Sequence, residues 1–131
     1  MAHKAPRGAE RRPWRKSLAT ALADQGIVVP HAATVRNYLA SHRALAKILP
    51  SVCEQARGEF GQEAELMLQV YRDPEIDDRH LTLYVRLPVY DDTVIARLDR
   101  VTQGFDDELC RASGYLLLTT DFRPPRARHG V

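Results

Sequence analysis

The spacing of apolar positions changes along the chain, and each change marks an element. Val35, Tyr38, Leu39, His42, Leu45, Ala46 and Leu49 recur at steps of three and four, the stripe of one amphipathic helix. Pro50 is expected to stop that helix. Ser51-Val-Cys-Glu54 reads as a capping box opening another, bounded by Gly58 and Gly61. The period then falls to two. Leu66, Leu68 and Val70 alternate with Glu65, Met67, Gln69 and Tyr71, and Leu81, Leu83, Val85 and Leu87 alternate with Thr82, Tyr84 and Arg86. Both runs predict strands with one apolar face. Residues 73–80 between them are polar, and Pro74 marks a turn.

After Asp91 and Asp92, the residues Val94, Leu98, Val101, Phe105 and Leu109 return to helical steps and predict a helix over 91–112. Gly104 weakens its middle by about 1 kcal/mol relative to Ala. Ser113-Gly114 ends it, and 115–120 is a third strand. Upstream, Ser17 is placed to cap a short helix through Gln25 that Gly26 closes, before an extended piece at Ile27-Val28-Val29-Pro30.

The pattern predicts an α+β fold: N-terminal helices, then a β-β-α-β core with a small three-stranded mixed sheet and helices on one face. A hairpin makes the first two strands antiparallel, and a right-handed crossover makes the third parallel to the second. The favoured order is 2-1-3, with the first strand central; the alternative puts the third strand beside the second. The expected layout is a disordered basic tail over 1–16, one domain over 17–122 and a second basic tail over 123–131.

Charge adds to this picture. The chain carries +2 overall, yet residues 1–16 carry +5 and residues 123–131 carry +3, which leaves an acidic body at −6. Basic tails attract phosphate backbones or acidic partners. No apolar run approaches the roughly 20 residues of a membrane span, and no export signal is apparent, so a cytoplasmic location without membrane attachment is expected. Cys53 and Cys110 are expected to be reduced core thiols within helices.

The search for chemistry returns little. There is no GxGxxG, Walker, GxSxG or HExxH motif and no zinc spacing, so neither cofactor nor metal is predicted. Three candidate sites remain. Asp73, Glu75, Asp77, Asp78 and His80 form an acidic loop suited to a hard cation with a nearby base, or else an ordinary solvated turn. Residues 22–39 resemble a helix-turn-helix; with the basic arm they would offer Arg11, Arg12, Arg15, Lys16, Thr34, Arg36 and Asn37 to nucleic acid. The sheet face away from the helices would show Met67, Tyr71, Tyr84, Arg86 and Tyr115, and the uncharged third strand would form an edge.

Three stretches also carry a resemblance: Tyr71-Arg-Asp-Pro-Glu-Ile-Asp-Asp78, Leu81-Thr-Leu-Tyr-Val-Arg86 and Leu117-Leu-Thr-Thr-Asp-Phe-Arg-Pro-Pro125. Together they resemble an uncharacterised family of small bacterial proteins over about 64–125. The resemblance implies a small stand-alone bacterial protein and assigns no activity. The leading expectation is a non-enzymatic regulatory or interaction module, of the size and charge pattern of an antitoxin-like component. It would bind itself or a protein partner through the sheet face and edge. DNA binding through 17–40 and a metal-dependent enzyme on the loop 73–80 are the alternatives.

Overall fold

The structure, a computed structural model, describes residues 14–75 and 78–125. Along these residues run α1 (Trp14–Asp24), β1 (Ile27–Val28), α2 (Ala32–Ser41), α3 (Arg43–Phe60), β2 (Glu65–Asp73), β3 (Asp78–Arg86), α4 (Val94–Gln103), α5 (Asp106–Arg111) and β4 (Leu116–Thr119). The fold is α+β, as the periodicity predicts, with a mixed sheet of four strands.

The sheet order is β1-β2-β3-β4, which corrects the three-stranded 2-1-3 expectation in two ways. Ile27 and Val28 are a strand, paired parallel to Leu66 and Met67, and they occupy the outer side of β2. The crossover through α4 and α5 therefore returns to the free side of β3, where Leu81 to Tyr84 pair parallel with Leu116 to Thr119. The hairpin is longer than the polar loop suggested. β2 and β3 stay in register from Glu65 opposite Arg86 to Asp73 opposite Asp78, so half of 73–80 belongs to the strands.

The apolar face of the alternation meets the helices. Leu66, Leu68, Leu81, Leu83, Val85, Leu116 and Leu118 form one buried cluster with Val35 and Leu39 of α2, the α3 stripe, and Val94, Leu98 and Val101 of α4. Each fully buried Leu contributes about 2 kcal/mol. That burial explains why Pro50 does not end a helix. Leu45, Ala46, Leu49, Val52, Cys53, Ala56 and Phe60 make one continuous buried stripe through it. The cost of about 3 kcal/mol for an interior proline is offset by the packing of both flanking turns. The interruption comes earlier, at His42, whose φ of −131° and ψ of 69° leave the helical range. Ser51 and Glu54 accordingly lie inside α3 and cap nothing.

Two further boundaries move. The helix expected over 91–112 is split at Gly104 and Phe105, and Thr93 precedes its first turn, with Asp91 Oδ1 accepting the Thr93 N–H at 2.9 Å. Residues 14–16, assigned to the tail, are helical. Cys53 is buried, and burial pushes its thiol up to about 12, partly offset by the Arg57 charge; Cys110 is exposed rather than in the core. No helix among the described residues is long and apolar enough to cross a membrane.

Arg57 fastens the β1 side. Its guanidinium donates to the carbonyls of Gln25 at 2.7 and 3.0 Å, Gly61 at 3.0 Å and Ala64 at 2.7 Å. One buried cation thus satisfies the carbonyls where α3 ends and β1 begins. On the opposite flank, Glu59 ties α3 to α4 through Arg97 and Arg100, each at 3.0 Å.

Candidate functional site

The strand alternation leaves a second sheet face that none of the described helices joins: its residues are missing from the helix-packed core cluster. Pairing register sorts this face into rows. Tyr71 stands opposite His80, Gln69 opposite Thr82 beside Leu117, Met67 opposite Tyr84 beside Thr119, and Glu65 opposite Arg86.

The five candidate contact residues divide within it. Tyr71 is 44% exposed and Tyr115 57% exposed; both rings contact His80, at 5.1 and 5.5 Å between centroids. Tyr84 is half-buried. Met67 and Arg86 are 4% and 6% exposed, so neither is a free surface group. Arg86 is committed internally: it donates to Glu65 Oε1 at 3.2 Å and to both oxygens of Asp121, at 3.1 and 2.8 Å. The bond from Arg86 holds the Asp121 carboxyl below the ordinary carboxylate range. Thr82, at the centre of the face, is 1% exposed and its hydroxyl has no hydrogen-bond partner among the described residues.

β4 is the far edge of the sheet. The Leu81 N–H donates to the Tyr115 carbonyl at 2.8 Å. Alternation along a parallel pair then turns the backbone of Leu117 and Thr119 toward β3 and that of Leu116 and Leu118 outward. Tyr115 and Phe122, each 57% exposed, flank this strand.

The described members of the acidic loop are engaged separately. Asp73 is used locally, its Oδ1 accepting the Glu75 N–H at 2.9 Å. His80 turns onto the tyrosines, and Glu75 and Asp78 are exposed. Among the described residues no group of three His, Cys, Asp or Glu is placed to hold a metal ion; Asp77 lies outside them. The segment 22–39 is helix, strand, helix, with Ile27 and Val28 of the expected extended piece paired into the sheet. A cavity of about 380 Å³ lies between α1 and α2, lined by Leu18, Leu22, Val29 and Val35. Thr34, Arg36 and Asn37 are exposed on α2. Arg15 and Lys16 fall in the first turn of α1, and Arg11 and Arg12 lie outside the described residues.

The structure also assembles a site that sequence reasoning missed. A cavity of about 740 Å³ opens at the turn end of the hairpin, walled by Thr34, Asn37 and Tyr38 of α2, by His42, and by Arg72 and Arg79. His42 Nδ1 lies 2.9 Å from Ser113 Oγ, and its ring packs against Tyr38 at 4.4 Å between centroids, tilted by 42°. Gly114, at φ +82°, passes so close beneath that a Cβ would stand 2.7 Å from the ring. Only glycine fits there, by conformation and by space. The available signal was indirect: once the hairpin is in register, Arg72 faces Arg79.

No family model, curated protein or solved structure matches this chain. The family resemblance of residues 64–125 draws no support from these comparisons.

Proposed function

We propose that the chain is a small protein-interaction module whose β4 edge pairs with a second copy of itself. One observation carries this reading: β4 is an edge strand with no charge from Tyr115 to Thr120, and its outward backbone groups at Leu116 and Leu118 have no partner among the described residues. Unpaired, uncharged edges are templates for strand addition. An antiparallel two-fold pairing suits this edge. Leu116 of one copy would exchange N–H···O bonds with Leu118 of the other, with Leu117 facing its own copy on the axis. The flanking rings of Tyr115 and Phe122 would extend the contact. Tyr71 and His80 lie on the same face as Leu117 and would continue the surface beyond the strand.

The test is sedimentation velocity across a concentration series. The expected result is a monomer–dimer equilibrium at micromolar concentration that Leu117→Lys abolishes, with the unfolding free energy of the chain changed by less than about 1 kcal/mol. A wild-type chain that stays monomeric throughout, or a Leu117→Lys variant that dimerises as well as the wild type, would sink the proposal.

A further inference from the structure

α1 and α2 are joined through β1, yet each packs mainly on other elements, α1 on α3 and α2 on α3 and β2. Between them the fold leaves the cavity of about 380 Å³. Its apolar wall comes from Leu18 and Leu22 of α1, Ile27 and Val29 of the run between the helices, and Val35 and Leu39 of α2. The short side chains of Ala19 and Ala23 on α1, and of Ala32 and Ala40 on α2, leave the space unfilled. All four alanines are exposed, so the cavity opens to solvent. An apolar wall open to water gains free energy when an apolar group covers it.

Charge and size narrow the ligand. Arg36 is the one charged residue in the lining among the described residues. It lies four positions after Ala32 and four before Ala40, so the three share a row along α2. Arg36 is exposed and makes no ion pair among the described residues. Asn37 follows it in the lining and adds an amide donor. A single guanidinium takes a carboxylate through two parallel N–H···O bonds. A phosphate monoester would bring nearly twice the charge to the same cation. A dry apolar cavity of about 150 Å³ holds one benzene ring, so 380 Å³ has room for an alkyl chain of about eight to ten carbons. The paired chains of a phospholipid would not fit.

We propose that this cavity binds a medium-chain fatty acid. Its alkyl chain would lie against Leu22, Val29 and Val35, and its carboxylate would meet Arg36 at the rim. The site borders β1, at the edge of the sheet away from β4, and so stands apart from self-pairing.

Calorimetric titration of the full chain with octanoate, hexanoate, acetate and octanol tests this. Octanoate is expected to bind, and each methylene removed should weaken binding by about fourfold. Acetate should give no heat. Octanol, which keeps the chain and lacks the charge, should bind about tenfold more weakly than octanoate. Arg36→Gln should weaken octanoate by about tenfold and leave octanol unchanged. Ala40→Phe should fill the cavity and abolish binding of both. Arg36 and Ala40 are exposed on α2, so both variants are expected to fold. Their sedimentation behaviour should match the wild type, which separates this test from that of self-pairing. No octanoate binding, affinity independent of chain length, or octanoate binding that survives Ala40→Phe each overturns the proposal. Octanol weakened by Arg36→Gln as much as octanoate would overturn the role given to the guanidinium. Altered self-association in Ala40→Phe would give the cavity to a second copy of the chain and overturn the proposal.

Discussion

The two edges of the sheet are finished differently. β1 has two residues, and the buried Arg57 guanidinium holds the chain entering it by the Gln25 carbonyl. Pro125, at the end of the run leaving β4, lines a small cavity together with Val28 and Arg57. This edge is short and enclosed, two of the ways a sheet protects itself from unwanted pairing. β4 has four residues, no charge and no such clamp. The fold closes one edge with its own groups and leaves the other able to accept a strand. That difference is why the proposed interface falls on β4.

The largest expected effect comes from undoing the closed edge. Arg57→Ala leaves the carbonyls of Gln25, Gly61 and Ala64 without their shared donor and should cost about 3 kcal/mol in urea unfolding. Arg57→Lys should recover only part of this, because an ammonium cannot span the same carbonyls. A loss below about 1 kcal/mol for Arg57→Ala would mean that β1 is not held in this way.

A smaller effect is expected where β4 leaves the sheet. The Asp121 carboxyl, bound to Arg86, is held below its unfolded value. Its contribution is present above the unfolded carboxylate range near pH ~4 and is lost as pH falls through the depressed folded value. Asp121→Asn should cost about 1 kcal/mol at neutral pH, since the carboxylate is partly exposed and screened. The variant and wild type should converge in acid. A stability difference that does not change with pH would contradict the ion pair.

The smallest effect bears on the face between the two edges. Thr82→Val removes a buried hydroxyl that has no partner among the described residues and should raise chain stability by about 1 kcal/mol. A loss of stability would show that the hydroxyl is bonded. Measured above and below the association midpoint, the same substitution tells whether pairing at β4 alters the centre of the face.

Sequence patterns captured the parts of the fold set by local alternation. The period of two in 65–71 and 81–87 marked both central strands, and the apolar steps after Asp91 marked α4. They missed features that depend on distant partners. Whether Pro50 ends a helix depends on the buried stripe running through it to Phe60. The break at His42 sits where its ring packs on Gly114, 72 positions along the chain. The strand order turns on Ile27 and Val28 taking the outer side of β2, which a two-residue run cannot announce. The candidate face was legible only as a parity. Alternation placed Met67 and Arg86 on it, but not the neighbours that bury them. The polar cavity was not legible, since its arginines meet through hairpin register and its other wall comes from α2.

Amide hydrogen exchange at Leu116 and Leu118 tests the central claim most directly. These two N–H groups point away from β3, so self-pairing must protect them and nothing else in the described fold does. The account predicts slow exchange at both positions above the association midpoint and fast exchange on dilution, with Leu117 and Thr119 protected throughout. Fast exchange at Leu116 and Leu118 at every concentration would contradict it.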